Sequence, residues 1–280
     1  MRPAVVILVY QEIDISIAFI GGGVMAEAMV KGVLDRRLAQ PREIVASDPD
    51  PARRRLLGED YGVLTIDENA RALDGAEVVV LAVKPQNIGQ VLADLRGKPG
   101  EGQIVLSIAA GIDIETLRSG LQHDVLVRAM PNTPARIGQG VTMWTATQKV
   151  SPEGRNMAAS ILRALGEEVY VEDEKYLDMA TALSGGGPAY VFTFMEALID
   201  AGVHMGLPRD ISQKLVVETV RGSAALARET GEHPAVLRNT VTSPGGTTAE
   251  ALLVMEQGGL RGLLMQAVLA AYRRAQSLGK

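Results

Sequence analysis

The stretch Ile15-Ser-Ile-Ala-Phe-Ile-Gly-Gly-Gly-Val-Met-Ala-Glu-Ala-Met29 reads as a strand, a glycine turn and the start of a helix. Its first six residues are mostly apolar and include three isoleucines, which predicts a buried parallel strand. Gly21 and Gly23 then permit a tight turn, and the small residue Ala26 completes the spacing GxGxxA. In such a turn the second glycine lets a pyrophosphate approach the backbone, and the helix N-terminus attracts the anion. The stretch therefore predicts a dinucleotide-binding unit.

The composition favours a small-molecule partner. The chain has 280 residues, enough for two domains, with 22% charged residues and a formal net charge of -5. No block of like charge occurs, which argues against binding to nucleic acid or to an anionic membrane surface. Cysteine is absent and the histidines, His123, His204 and His233, lie far apart, so we expect no metal site.

The residues before the strand form a short extension. Their apolar run, residues 4–9, is too short to span a bilayer, and Arg2 with Pro3 makes a poor start for a signal sequence. We therefore expect a cytoplasmic protein in which residues 1–14 are an extension of unknown role. Residues 15–172 are then expected to form a Rossmann-like dinucleotide-binding domain.

The second predicted strand, residues 43–47, leads to the residues that read the adenosine ribose in such a domain. Asp50 as N-cap and Pro51 as first helical residue predict that a helix follows. A carboxylate at this place binds the ribose 2′-hydroxyl of NAD, whereas an arginine binds the 2′-phosphate of NADP. Asp48 favours NADH, whereas the three arginines at 53–55 favour NADPH. It is equally consistent with the sequence that Asp48 only forms a turn and that the arginines only lie on a solvated helix face. The sequence thus predicts NAD(H) or NADP(H) without deciding between them.

Further strand-like runs alternate with helical or polar stretches. The runs lie at residues 63–66, 77–83, 103–108, 125–130, 140–146 and 168–171. This alternation predicts an α/β fold with a doubly wound parallel sheet. Three of the strands end in loops that begin with Lys84, Ala109 and Pro131. Because ligands of open parallel sheets bind beyond the strand C-termini, we expect these loops to line a cofactor crevice.

The pattern changes after residue 172. Glycine and proline separate successive helices with no further strand pattern, so we expect residues 173–280 to form an all-helical domain for substrate binding and dimerisation. The predicted helices at 189–205 and 215–226 carry only two charged residues each. A domain of about 110 residues has difficulty burying such helices alone. We predict a homodimer in which they pack against their counterparts; the alternative is a compact monomeric bundle.

A second glycine turn, Ser243-Pro-Gly-Gly-Thr-Thr-Ala-Glu250, lies in the helical domain. Thr247 and Glu250 fit a capping box, which predicts a helix whose free amides point into the turn. Such a turn can hold a substrate carboxylate, with the hydroxyls of Ser243, Thr247 and Thr248 as further donors. A purely structural helix cap is the competing interpretation.

Six motifs, in order along the chain, resemble those of the pyrroline-5-carboxylate reductases, which reduce a cyclic imine with NAD(P)H to complete proline synthesis. The motifs are FIGGGVMA at 19–26, AVKP at 82–85, AAG at 109–111, MPNTP at 130–134, LSGGGPAY at 183–190 and VTSPGGTT at 241–248. The SPGGTT and GPAY motifs are specific to that family, whereas the glycine motif and AVKP occur in related dehydrogenases. The resemblance extends from residue 15 to the C-terminal helix.

The resemblance implies a Rossmann domain and a helical domain that interleaves with its dimer partner, often within a larger ring of dimers. It places the cofactor contacts on Ile20, Gly21, Gly22, Gly23, Val24, Met25, Asn69, Ala82, Val83, Lys84, Pro85, Ala109 and Ala110. The argument about the ribose given above adds Asp48 to these contacts. It places the substrate contacts on Ser243, Gly245, Gly246, Thr247, Thr248 and Glu174. Thr248 is the expected catalytic residue, as a donor that orients the imine nitrogen or relays a proton to it.

Two positions depart from the family pattern. Gly186 stands where the family more often has serine, which removes a hydroxyl, and Asp48 replaces a neutral polar residue. Two other functions compete with the imine reductase. A β-hydroxyacid dehydrogenase shares the two-domain plan and uses a catalytic lysine, for which Lys175 is the nearest candidate. A non-catalytic dinucleotide-binding sensor would need neither Thr247 nor Thr248, so their presence argues against it.

Overall fold

A computed structural model describes residues 15–278 of the chain. The described residues divide into two compact units. The first comprises the residues up to Gly185 together with the segment from Tyr272 onward, and the second comprises Gly186–Ala271. The extension expected at residues 1–14 lies outside the described residues.

The first unit contains one sheet of eight strands in the order β3-β2-β1-β4-β5-β6-β7-β8. The strands are β1 (Ile17–Ile20), β2 (Ile44–Ser47), β3 (Leu64–Ile66), β4 (Val78–Leu81), β5 (Ile104–Ser107), β6 (Leu126–Met130), β7 (Gly140–Ala146) and β8 (Gly166–Tyr170). β1 to β6 run parallel to one another. The reversal of strand order at β1 and β4 is the doubly wound arrangement, so the predicted fold class is confirmed.

The last two strands differ from the all-parallel prediction. β7 pairs antiparallel with β6, and β8 pairs parallel with β7. The connection between β6 and β7, residues 131–139, is shorter than the dozen or so residues that a parallel crossover needs. The chain therefore turns back on itself, and β7 and β8 run against the other six strands.

The central strands are apolar because helices cover both faces of the sheet. All four residues of β1 are buried: Ile17 and Phe19 belong to one core cluster, and Ala18 and Ile20 to the other. This alternation is the period of two that a strand imposes. The central strands β1, β4 and β5 therefore contribute to two cores at once.

The helices connect the strands and then form the second unit. They are α1 (Val24–Asp35), α2 (Pro51–Tyr61), α3 (Asn69–Ala72), α4 (Ile88–Leu95), α5 (Ile114–Leu121), α6 (Pro152–Arg163), α7 (Lys175–Ala180), α8 (Gly187–His204), α9 (Arg209–Thr230), α10 (Pro234–Thr240), α11 (Thr247–Gln257) and α12 (Leu260–Leu278). The predicted start of α2 is confirmed, since the Asp50 carboxylate accepts from the Ala52 amide and Pro51 is the first helical residue.

The secondary structure of the second unit, Gly186–Ala271, consists of helices joined by short turns. α8 packs against α9 where Gly202 lies beside the buried Ser212; an added Cβ at Gly202 would come within 2.7 Å of the Ser212 hydroxyl. The expected domain boundary at residue 173 falls between β8 and α7, whereas the contacts divide the chain after Gly185. α7 stays with the first unit because ion pairs join it to β6.

Across residues 15–278, the helices lack the combination of length and apolar composition that crossing a membrane requires.

Candidate active site

A cavity of about 740 Å³ opens in the first unit beyond the C-terminal ends of β1, β2, β3 and β4. Its lining residues are Gly21, Gly23, Ser47, Asp48, Pro49, Asp67, Glu68, Asn69, Ala82, Val83, Lys84, Asn87, Gln90, Val91 and Asp94. Open parallel sheets bind ligands at this place, and the volume lies in the usual range for cofactor sites.

The glycine turn after β1 shapes one wall of the cavity. Gly21 has a φ of +98°, and a Cβ there would come within 2.9 Å of the Ala82 carbonyl oxygen, so this position requires glycine. At Gly23 an added Cβ would meet no atom within 4 Å, so the backbone faces open space. Gly23 is also the N-cap of α1 and provides no side-chain cap. Open space above uncapped helical amides fits a diphosphate group.

Asp48 lies across the glycine turn, directly after β2. One carboxylate oxygen, Oδ2, accepts from the Gly22 amide at 2.6 Å, and the other, Oδ1, accepts from the Asp50 amide at 2.8 Å. A Cβ at Gly22 would crowd the Asp48 side chain and Leu57. Asp48 therefore holds the glycine turn to the end of β2 and lines the cavity.

Two side chains of α2 brace the helix that begins at the turn. The Arg53 guanidinium donates to the Gly22 carbonyl oxygen at 2.7 Å and to the Glu27 carboxylate at 2.6 Å. The Tyr61 hydroxyl donates to the same carboxylate at 3.2 Å. Burial, and then the charge of Glu27, raise the pKa of Tyr61 above its usual value, so its hydroxyl keeps the donated proton. Arg53 thus balances the negative charge of Glu27, which lies in the first turn of α1.

Asn69 is positioned by two further residues of the cavity. The Ser47 hydroxyl donates to Asn69 Oδ1 at 2.8 Å, and Asn69 Nδ2 donates to the Asp94 carboxylate at 3.1 Å. Asp94 also lies 3.6 Å from Lys98 Nζ. The Asn69 amide group is therefore held between β2 and α4 at the cavity wall.

The cavity brings together seven of the predicted cofactor residues: Gly21, Gly23, Asp48, Asn69, Ala82, Val83 and Lys84. The other seven lie outside its lining: Ile20, Gly22, Val24, Met25, Pro85, Ala109 and Ala110. Of these, Ile20 and Ala109 are buried in the core, and the Gly22 amide is taken by Asp48. For all fourteen, the role in binding a cofactor stays a prediction.

Sequence reasoning missed several acidic and polar residues of the cavity. Asp67 and Glu68 follow the C-terminus of β3, so the strand-end rule that selected Lys84 would have selected them. Gln90 and Asp94 lie on α4 instead and reach the cavity because that helix packs beside it. No local sequence signal marks these two residues.

The second glycine turn, in the second unit, precedes α11. The Gly246 amide donates to the Ser243 carbonyl oxygen at 3.0 Å, and Gly245 has a φ of +69°. The predicted capping box is wrong: Gly246 is the N-cap, Thr247 is already the first helical residue, and no side chain caps the helix. The turn closes between Ser243 and Gly246 and so starts the helix one residue earlier than the box requires.

The hydroxyl groups around this turn are available to a ligand. Within the described chain, the side chains of Ser243, Thr247 and Thr248 make no hydrogen bond to another residue. Ser243 and Thr247 are exposed, and Thr248 is half-buried. The uncapped amides at the start of α11 and these three hydroxyls form a set of donors suited to a carboxylate.

Glu174, a predicted substrate contact, lies in the first unit. Its Oε1 accepts from the Ile114 amide at 2.7 Å and from the Arg128 guanidinium at 2.8 Å. The Arg128 side chain is only 6% exposed and also pairs with Asp178 at 2.8 Å. The Glu174 carboxylate therefore has a structural role, and a contact with the substrate stays a prediction.

Lys175, the candidate of the dehydrogenase alternative, is an exposed residue paired with Asp173. The hydrogen bond from Lys175 to Asp173, followed by the charge of Asp173, raises the pKa of Lys175 above its usual value. Its ammonium group also lies over the Tyr176 ring. These contacts are those of a solvated surface lysine.

Comparisons with known proteins agree with this architecture. A family described as pyrroline-5-carboxylate reductase dimerisation matches residues 174–278, and one described as NADP oxidoreductase, coenzyme F420-dependent, matches residues 16–111. A pyrroline-5-carboxylate reductase of Synechocystis is 45% identical over 95% of this chain and 99% of that protein.

Two solved structures are similar over nearly the whole chain. The pyrroline-5-carboxylate reductase of Coxiella burnetii has a TM-score of 0.87 and 38% identity, and covers 95% of this chain and 99% of its own. The Plasmodium falciparum pyrroline carboxylate reductase, solved with NADP bound, has a TM-score of 0.87 and 29% identity, and covers 96% of this chain and all of its own. The glycine turn, the cavity at the sheet and these relatives lead to one conclusion: the chain belongs to the pyrroline-5-carboxylate reductase family.

Proposed function

We propose that this protein reduces 1-pyrroline-5-carboxylate to L-proline. A hydride from NAD(P)H is added to the carbon of the cyclic C=N bond, and a proton is added to its nitrogen. The observation that carries the proposal is the 45% identity to a reductase of this name over 95% of the chain. Both glycine turns are present in this chain.

The first unit fits a nicotinamide dinucleotide cofactor. The open backbone at Gly23 and the uncapped start of α1 would hold the diphosphate, and Asp48 would lie beside the adenosine ribose. Ala82, Val83 and Lys84, at the end of β4, would hold the part of the cofactor nearer its nicotinamide. When bound, the reduced nicotinamide supplies the hydride.

The turn before α11 is the proposed binding site for the substrate carboxylate. The amides of the turn, with Gly245 and Gly246, allow a close approach of the anion, and the hydroxyls of Ser243 and Thr247 add donors. In this proposal Thr248 donates a hydrogen bond to the ring nitrogen. The roles of these residues, and that of Glu174, rest on the family motifs and on the free hydroxyls.

The proposed reaction needs little side-chain acid chemistry. A cyclic imine is basic enough to arrive protonated or nearly so, which leaves no requirement for a histidine acid. The protein then accelerates the reaction mainly by holding the imine carbon against the hydride donor, which converts a bimolecular encounter into an oriented one. Thr248 fixes the nitrogen during the transfer and relays a proton where the imine arrives neutral.

We also propose that the working protein is a homodimer formed by its helical domain. The second unit exposes large apolar side chains on four helices, among them Phe192 at 58%, Leu215 at 55%, Val254 at 68% and Met265 at 66%. Patches of this kind mark protein interfaces. A second copy of the chain would cover them, in keeping with the match to the family's dimerisation domain. A larger ring of dimers and a cytoplasmic location stay predictions.

One assay tests the proposed reaction. NADH and NADPH oxidation is followed with 1-pyrroline-5-carboxylate and, separately, with a small 3-oxo acid. We expect turnover of the imine alone, with proline as the product. Turnover of the oxo acid would favour a β-hydroxyacid dehydrogenase, and turnover of neither would favour a dinucleotide-binding sensor.

A further inference from the structure

The cofactor cavity presents mainly negative charge at the place where the adenosine ribose binds. Asp48 directly follows β2, the position that reads the ribose 2′-substituent in this fold. Its two oxygens accept from the Gly22 and Asp50 amides, and no ion pair joins it to a cation within residues 15–278. Each carboxylate oxygen has a second lone pair, so Asp48 can still accept from a ribose hydroxyl.

Two of the three arginines of α2 are turned toward protein acceptors. Arg53 bonds to the Gly22 carbonyl oxygen and to Glu27. Arg54 donates to the carbonyl oxygens of Asp48 and Pro49 at 2.7 and 3.0 Å, and lies 4.0 Å from Asp67. Neither they nor Arg55 line the cavity. Two of the three arginines that favoured NADPH in the sequence, Arg53 and Arg54, therefore support the start of α1 and the end of β2 instead.

Most of the other charges of the lining have the same sign as Asp48. Asp67, Glu68 and Asp94 add three carboxylates, of which Asp94 lies near Lys98, whereas the cations of the lining are limited to Lys84. A 2′-phosphate carries about two negative charges at neutral pH. Bringing it beside these carboxylates is electrostatically unfavourable, while a neutral 2′-hydroxyl gains an acceptor.

We propose that the protein binds NADH in preference to NADPH, and that Asp48 is the residue that determines this specificity. Its carboxylate accepts a hydrogen bond from the ribose hydroxyl and repels a 2′-phosphate. A preference for NADH in the catalysed reaction rests on the proposed reductase function. A preference for NADH in binding rests on the cavity alone.

Binding titrations without substrate test the preference. The full chain is titrated with NADH and with NADPH by nicotinamide fluorescence, at about 50 mM salt and neutral pH, and we expect at least about 10-fold tighter binding of NADH. Raising the salt to about 500 mM should narrow the ratio, because screening weakens repulsion of the 2′-phosphate. This comparison needs no variant, so it does not depend on whether a mutant folds.

Two substitutions identify the residue responsible. Asp48→Asn keeps an oxygen for the Gly22 amide but removes the charge, and we expect it to lower the NADH/NADPH affinity ratio at least about 10-fold. Asp60→Asn, an exposed carboxylate of α2 outside the cavity, makes the same change in net charge and should leave the ratio as in the wild type.

Equal or tighter binding of NADPH by the wild type would overturn the proposal, as would an unchanged ratio in Asp48→Asn. Arg54→Gln identifies one cause of such a failure: a selective loss of NADPH binding would mean that Arg54 leaves its carbonyl partners to bind the phosphate. Imine turnover that is equally efficient with both coenzymes would overturn the preference and leave the reductase function standing. NADH-selective binding without imine turnover would overturn the proposed reductase function and leave the coenzyme preference standing.

Discussion

The hydroxyl group of Thr248 offers the sharpest single-residue test of the proposed chemistry. Thr248→Val keeps the shape and the β-branch but removes the donor to the imine nitrogen. We expect kcat to fall by about 10-fold to 1000-fold, the range for one well-placed donor. Steady-state kinetics with 1-pyrroline-5-carboxylate measure the loss, and coenzyme affinity should stay within about twofold of the wild type.

Thr116→Val is the matched control for that measurement. Thr116 is an exposed residue of α5 whose hydroxyl makes no hydrogen bond to another described residue, so the same atoms are exchanged outside both candidate sites. Its turnover should equal that of the wild type. Wild-type turnover in Thr248→Val would remove Thr248 from the mechanism.

The turn between β1 and α1 predicts an effect on binding that is separate from stability. Gly23→Ala places a methyl group in the open space proposed for the diphosphate, without meeting any protein atom within 4 Å. We expect coenzyme binding to weaken at least about 10-fold, because the backbone can no longer approach the phosphates. The melting temperature without coenzyme should change by less than about 2 °C. Fluorescence titration and thermal unfolding measure the two quantities.

Gly100→Ala serves as the control for the turn. Gly100 is an exposed loop residue outside the cavity, and an added methyl group there also meets open space. This variant should bind the coenzyme as the wild type does. If Gly23→Ala bound equally well, the diphosphate would have to lie elsewhere.

The junction between β6 and α7 predicts an effect on stability. Arg128→Met removes the cation between Glu174 and Asp178, and the two carboxylates are left close together in a partly buried place. Losing one partner of a fully buried pair costs about 3–5 kcal/mol; because both carboxylates keep contact with water, we expect about 2–3 kcal/mol. Urea unfolding measures the difference.

Arg118 on α5 provides the comparison, because it also bridges two carboxylates, those of Glu115 and Asp124, but in an exposed place. Arg118→Met should lower the free energy of unfolding by less than about 1 kcal/mol, as is usual for surface ion pairs. An equal and small effect of both substitutions would show that the Arg128 cluster contributes no more than a surface pair.

The assembled protein should be at least a dimer held by apolar contacts of the helical domain. Phe192 and Met265 lie on α8 and α12 and are more than half exposed in the single chain. Phe192→Glu and Met265→Glu introduce charges that a dry interface excludes, so we expect each to shift the protein toward monomer. Light scattering coupled to gel filtration gives the mass, which should be twice that of one chain or a multiple of that for the wild type.

A control on the first unit separates the interface from general effects of charge. Ile137→Glu changes a residue that is 70% exposed outside the helical domain, and should leave the mass unchanged. A wild-type protein that is monomeric at micromolar concentration would contradict the dimer directly.

Local patterns in the sequence were enough to predict the fold class and the place of the first glycine turn. The apolar strands, the glycine spacing at Gly21 and Gly23, and the Asp50-Pro51 helix start depend on neighbours along the chain, because backbone geometry and period-two burial act over a few residues. The motif SPGGTT selected the second turn for the same reason. The start of α11 was misjudged by one residue, because the hydrogen bond that closes the turn at Gly246 competes with a capping box.

Only the tertiary structure decided those features that depend on contacts between residues far apart in the sequence. Glu174 contacts Arg128 and the Ile114 amide only because α7 packs on the sheet. Asp94 reaches the cavity only because α4 lies beside it. The arginines after β2 favour NADPH in the sequence, but Arg53 and Arg54 bind protein acceptors in the structure, because an arginine can donate to a phosphate or to a backbone carbonyl. The local sequence determines the backbone conformation that each segment prefers. Which residue a side chain binds depends instead on which elements the fold brings within a few ångströms of it.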